Sequence, residues 1–236
     1  MGYIFGHTQS TKSHRRQLHL EGMESRTNPV TATFSTTSGT LSVLGDVGND
    51  RIQVRTVGAS LAVFDLRFGG AVIVPIRVDG STFVASVPVS QITGGVSADG
   101  GTGGNDFITL AGIAPPATIA GGTGSDSLAG GNGADVITGG TGADLIFGNG
   151  GADDIQGEIG NDQIFGGDGN DSLSGGDGND LVSGNAGTDS GDGGAGTDRV
   201  FGGIGDDALS GGLGSDYLEG GDGADALDGG DGVDVL

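Results

Sequence analysis

From Gly121 to Leu236 the sequence keeps a nine-residue period with no insertion or deletion, in thirteen units of which the last holds eight residues. Every unit has Gly at positions 1 and 4 and Asp at position 6; the first reads Gly121, Gly122, Thr123, Gly124, Ser125, Asp126, Ser127, Leu128, Ala129. Position 8 is aliphatic in all units but one: Leu128, Ile137, Ile146, Ile155, Ile164, Leu173, Val182, Val200, Leu209, Leu218, Leu227 and Leu236, with Gly191 the exception.

Each position implies a physical role. Gly at positions 1, 2 and 4 is expected to take positive φ and permit close chain approach, so that six residues curl until several carbonyl oxygens face one point. Asp at position 6 adds a charged oxygen there. Residues 7 to 9 leave room for a short strand, whose alternation turns position 8 inward and positions 7 and 9 outward.

The net charge of −22 lies entirely in this array, where Arg199 is the only base, whereas the acids and bases of residues 1–120 balance. Phosphate binding needs clustered Lys and Arg, so nucleic acid is excluded as an expected partner, and divalent cations are the natural counterions. The 55 glycines and 5% aromatics would suit a disordered chain, but disorder has no reason to hold Gly, Asp and an aliphatic residue in fixed phase. One apolar side chain per nine residues is a thin core. Carboxylates stacked at a strand spacing of about 4.8 Å repel by roughly 0.9 kcal/mol per pair even in water. The array therefore needs a staple, and with no Cys in the chain neither disulfides nor zinc thiolates can provide it. Calcium, which takes six to eight hard oxygen ligands in irregular geometry, suits carbonyls and carboxylates better than octahedral magnesium does.

The pattern G-G-x-G-x-D-x-U-x, with U apolar, resembles the calcium-binding nonapeptide of the repeats-in-toxin (RTX), or haemolysin-type, family. The resemblance implies an all-β fold in which two units make one turn of a right-handed parallel β-roll, a β-solenoid, so that units n and n+2 stack with calcium between their loops. On one edge this places Asp126, Asp144, Asp162, Asp180, Asp198, Asp216 and Asp234 in succession, and on the other Asp135, Asp153, Asp171, Asp189, Asp207 and Asp225, all as metal ligands. The intervals leave room for up to about eleven ions. Phe147, Phe165 and Phe201 at position 9 fall only in odd-numbered units, an internal sign of an 18-residue period. They are expected to face outward, as a stacked ladder or as a docking face. Asn149, Glu158 and Asn185 replace the second Gly and are expected to distort their loops, and Gly191 to leave a soft rung.

Upstream the texture changes. Residues 1–28, with His7, His14 and His19 too scattered for a metal site, are expected to form a flexible tail containing neither a signal-peptide core nor a membrane span. Within it, Leu18, Leu20, Glu21, Glu24 and Arg26 resemble short segments near the start of large bacterial surface proteins. Residues 29–118 form an irregular β-rich region of Thr, Ser, Val and Phe in alternating runs, and residues 119–236 the roll. Within the upstream region, Gly45, Gly48, Asp50 and Ile52 sketch one eroded unit, Gly104, Asp106 and Ile108 another, and Pro115–Pro116 mark a capping rung.

No catalytic signature is present: H-E-x-x-H and G-x-S-x-G are absent, and the abundant Asp residues occupy ladder positions. No enzyme activity or catalytic residue is expected. The expected function is a secreted, extracellular calcium-binding repeat protein whose roll folds on binding the ion and serves as a structural or binding module. Two alternatives stand beside it: a cell-surface adhesin or matrix component with the roll as a calcium-stiffened spacer, and an accessory fragment of a larger secreted enzyme or toxin. Expected partners are calcium ions, a cell-surface or extracellular-matrix ligand, and another copy paired end to end.

Overall fold

The computed structural model describes residues 31–35, 37–38, 40–45, 48–57, 60–65, 72–73, 76–78, 82–84, 87–110 and 112–236, and for much of 61–89 only the backbone; the amino-terminal 1–28 segment lies outside them. The described chain is all-β, with one three-residue helical turn at Val89–Gln91. Its strands form two sheets, of thirteen and eleven strands.

Successive units alternate between the sheets, so each strand pairs in parallel with the one 18 residues away. Ile137 lies beside Ile155 in one sheet and Ile146 beside Ile164 in the other. The result is a parallel β-solenoid of about eight turns. Its core is the double column of position-8 side chains, from Leu128 to Leu218, buried between the sheets.

The strands are longer than positions 7 to 9. Gln163–Asp168 is typical: six residues run from position 7 through the first three positions of the next unit, with Ile164 and Gly166 buried and Gln163 and Asp168 exposed. Asp at 6, the aliphatic residue at 8 and Gly at 1 thus form one inward-facing series at a spacing of two.

That alternation corrects the role expected of the first glycine. No glycine at position 1 has a positive φ. Gly148 is required for space: a methyl group on it would overlap Asp153 Oδ2 and the Gly166 carbonyl oxygen. Positive φ belongs to positions 2 and 4, in every unit but the one beginning at Gly130. The Asn149, Glu158 and Asn185 substitutions adopt it too, at φ 76°, 73° and 73°. Their strands stay in register, Glu158 between Gly140 and Gly176, so the strain sits in the backbone and the loops are not displaced.

The Gly191 rung also keeps its register, with Gly191 between Leu173 and Leu209. Val200 and Leu209 crowd the space its side chain would take. An open groove of about 420 Å³ lies over this rung, lined by Gly191, Leu209 and Leu227 together with Ser190, Ser210 and Asp228.

Upstream, strands β1 (Thr31–Ser35), β2 (Thr40–Leu44), β3 (Arg51–Val57), β4 (Ser60–Asp65), β5 (Val72–Ile73), β6 (Ile76–Val78), β7 (Thr82–Val84) and β8 (Val87–Pro88) lead into β9 (Val96–Asp99), β10 (Phe107–Thr109), β11 (Ala117–Thr123) and β12 (Ser127–Ala129). Strand β2 pairs in parallel with β9, and β9 with β11; β3 pairs in parallel with β10, and β10 with β12. Ile52, Ile108 and Leu128 are consecutive core residues of one sheet, and Val43, Ala98 and Ile119 of the other. The partial units at Asp50 and Asp106 therefore stack as rungs on the regular array. Between them the chain leaves the solenoid as antiparallel pairs, β4 against β3, β5 and β8, and β7 against β6. Antiparallel pairing of β1 with β2 completes this end.

Candidate metal centre: two carboxylate ladders

Each position-6 Asp begins the inward series just before its aliphatic residue, which carries its carboxylate beneath the neighbouring turn. On one edge the backbone N–H of Asp126 donates to Asp144 Oδ1 at 2.7 Å, and the bond repeats from Asp144 to Asp162, Asp162 to Asp180, Asp180 to Asp198 and Asp198 to Asp216 at 2.7–2.8 Å. The other edge repeats it from Asp135 through Asp153, Asp171 and Asp189 to Asp207 at 2.8–2.9 Å. Asp234 and Asp225 end the two ladders, accepting at 3.0 Å and only half buried. The structure thus brings the thirteen Asp residues together in the two successions expected from the 18-residue turn.

From Asp126 to Asp216 these side chains are at most 3% exposed. One oxygen of each is used by the backbone. The other, Oδ2, has no hydrogen-bond partner in Asp126, Asp144, Asp153, Asp162, Asp171, Asp180, Asp189, Asp198, Asp207 and Asp216. A buried carboxylate oxygen without a donor is costly, and an ionised one far more so unless a cation compensates it.

Burial pushes the Asp144, Asp153, Asp180 and Asp189 carboxyls up to about 6, reinforced by the carboxylates above and below and opposed by the backbone hydrogen bond each accepts. Asp126, Asp135, Asp162, Asp171 and Asp198 move in the same direction, again chiefly through burial. Arg199, the only base within these units, lies over the rings of Phe201 and Tyr217 at 5.4 and 5.8 Å.

The donor set suits a hard divalent cation. Among the described residues no three acidic or His side chains converge, so backbone carbonyls must complete any coordination sphere. They are close by: at Gly148 the Asp153 Oδ2 and the Gly166 carbonyl oxygen crowd the same Cα. Carboxylate and carbonyl oxygens suit calcium, which accepts irregular coordination, better than magnesium with its strict octahedron.

Two carboxylates outside the regular units extend the first ladder. Asp50 and Asp106 are buried like the rest; the Asp106 N–H donates to Asp126 Oδ1 at 2.7 Å and the Asp50 N–H to Asp106 Oδ1 at 2.5 Å. They were absent from the ligand set expected from sequence, although the Gly45-Gly48-Asp50-Ile52 and Gly104-Asp106-Ile108 spacings were the signal.

On the outer face, Phe147 and Phe165 stack with centroids 5.2 Å apart and planes at 12°, Ser183 follows in register, and Phe201 tilts against Tyr217 at 5.9 Å. Phe147 is 36% exposed. Among the described residues no helix is long and apolar enough to cross a membrane.

No curated protein and no solved structure matches the chain. The family model of the RTX calcium-binding nonapeptide repeat (4 copies) matches residues 118–146, 129–164, 147–182, 165–200, 183–218 and 201–236, in all just over half of the sequence. With the repeat, the two-sheet roll and the paired carboxylate ladders in agreement, the chain belongs to the RTX calcium-binding nonapeptide repeat family.

Proposed function

We propose that this protein is a secreted structural or binding module whose roll is held together by calcium at its two carboxylate ladders. The observation that carries this reading is the repeated, buried, unpartnered Oδ2. The thirteen Asp residues from Asp126 to Asp234 are the ligands, with loop carbonyls beside them. When bound, calcium would neutralise adjacent carboxylates and satisfy the Oδ2 atoms. The chain's own contribution is to fix each Oδ1 through a backbone N–H and to exclude water from the inward face.

Ion binding then supplies folding free energy, as in other proteins whose site does not exist in the unfolded chain. Extracellular modules bind calcium with Kd of about 10⁻⁴ to 10⁻³ M, which suits a chain unfolded in calcium-poor cytosol and folded outside the cell. Circular dichroism during calcium titration is expected to give a steep rise in β structure from a largely unfolded chelated state. The same spectrum in EGTA and in excess calcium would refute the coupling.

A second reading is favoured by the strands that leave the solenoid between β3 and β9: a surface or matrix ligand bound by that excursion, with the roll as a stiff spacer. Replacing residues 58–92 with a short turn and measuring adhesion to cells or matrix separates the two. Lost adhesion with an intact calcium response supports the spacer role, and unchanged adhesion removes it.

A further inference from the structure

We infer that the calcium-binding edge continues upstream of the repeats, with Asp106 and Asp50 as ligands of two additional divalent cations. This rests on the calcium reading of the regular ladder and adds residues outside the matched repeats.

The argument compares the upper ends of the two edges. On the second edge the residue above Asp135 is Ala117, whose N–H donates to Asp135 Oδ1 at 2.7 Å, so no carboxylate stands across that interval. There Asp135 Oδ2 is also satisfied, by the Gly131 N–H at 2.6 Å. With no carboxylate above Asp135 to share an ion, the second ladder stops there. The unit beginning at Gly130 accordingly lacks the positive φ at its second and fourth positions that every other unit has.

The first edge ends differently. Asp126 is 3% exposed, its Oδ1 accepts from the Asp106 N–H, and its Oδ2 has no hydrogen-bond partner. Above it stands a second buried carboxylate, Asp106, 2% exposed, and above that Asp50, 0% exposed.

The surrounding backbone repeats the regular arrangement. A methyl group on Gly121 would overlap Asp126 Oδ2 and the Gly139 carbonyl oxygen; one on Gly100 would overlap Asp106 Oδ2 and the Gly121 carbonyl oxygen, and one on Gly45 Asp50 Oδ2 and the Gly100 carbonyl oxygen. Carboxylate and carbonyl oxygens therefore meet at Gly45 and Gly100 as they do at every first-position glycine from Gly121 to Gly175. Arg51, next to Asp50 in the chain, is exposed and lies over the Phe107 ring at 5.4 Å. A hard-oxygen divalent cation, calcium, fits each interval: Asp50 with Asp106, and Asp106 with Asp126.

Native mass spectrometry of the full chain titrated with calcium chloride counts the ions. Asp106 borders both intervals, so Asp106→Asn is expected to hold two fewer ions than the unsubstituted chain, and Asp50→Asn one fewer, each with the β signal retained in circular dichroism. If the unsubstituted chain loads calcium and Asp106→Asn loads the same number, the extension is overturned while the regular ladder stands. If the unsubstituted chain binds none, both fail. Should Asp106→Asn not fold, Asp50→Asn decides, since a full complement of ions in that variant also overturns the extension.

Discussion

The backbone N–H of Asp126 donates to Oδ1 of Asp144, 18 residues further on, at 2.7 Å, while Oδ2 of the same Asp144 carboxylate has no hydrogen-bond partner. One carboxylate thus serves two ends: one oxygen pins successive turns together, and the other is left for an ion. Stacking and ion binding meet at the same side chain, which is a physical basis for cooperative folding.

The two functions separate by substitution. Asp144→Asn retains an oxygen to accept the Asp126 N–H but removes the charge, so it is expected to lose up to two ions and keep its turn. Asp144→Ala also leaves the buried Asp126 N–H unsatisfied, costing about 1–3 kcal/mol more. Calcium counts and thermal denaturation of the pair check this; equal stabilities would show that the N–H bond contributes nothing.

Acid acts in opposite directions with and without metal. The folded state raises Asp144, Asp153, Asp180 and Asp189 to about 6, against about 3.9 in an unfolded chain. A raised folded value means that the metal-free fold binds protons more tightly than the unfolded chain, so its stability is greatest below about 4 and is lost as pH rises through about 6. In EGTA, β structure is expected to increase as pH falls from 7.5 to 5. With calcium present, protons compete for the same oxygens and the titration midpoint moves to higher calcium below pH 6. Circular dichroism at several pH values, with and without metal, measures both trends.

Gly148→Ala tests the steric role of the first glycine. Its methyl group would overlap Asp153 Oδ2 and the Gly166 carbonyl oxygen. Overpacking of this kind costs about 1–3 kcal/mol, and because the displaced atoms are ligands the calcium midpoint is expected to rise as well. Gly150→Ala, whose added methyl group would come no nearer than 3.8 Å to any neighbour outside its own chain segment, is the mild control.

Glu158 holds φ at 73°, a conformation glycine reaches without strain. Glu158→Gly is therefore expected to stabilise the calcium-loaded roll by about 1 kcal/mol, with a smaller gain for Asn149→Gly because Asn tolerates this region better. Reversible denaturation in saturating calcium reads the difference; a destabilised Glu158→Gly would place the side chain's value above its strain.

The Gly191 rung lacks an aliphatic side chain whose burial elsewhere is worth about 1.5–3 kcal/mol. Hydrogen exchange at Thr188–Asp192 is expected to be about 10-fold or more faster than in the flanking rungs. Equal protection would mean that Val200 and Leu209, which crowd Gly191, replace what is missing.

Much of this protein is determined by local pattern. The aliphatic residue at position 8 of every unit but one, in fixed phase with Asp at position 6, sets the inward face of each short strand, because alternation turns both side chains the same way; two units to a turn, and so two sheets and two ladders, is what the family resemblance implied. Odd-numbered Phe147, Phe165 and Phe201 already marked the two-unit turn, and the structure stacks the first two in register. Tertiary structure decided what periodicity cannot express. The first glycine is expected from the sequence both to take positive φ and to allow close approach; only the close approach holds, and only packing shows that what a methyl group there would meet is Asp Oδ2. Likewise Asp50 and Asp106 stand 56 residues apart, and Asp106 and Asp126 20, so neither keeps the period, yet β3, β10 and β12 align in one sheet and place all three carboxylates on one edge. Register across a sheet is set by hydrogen bonds between neighbours in space, and a chain can wander any distance between rungs before returning to it.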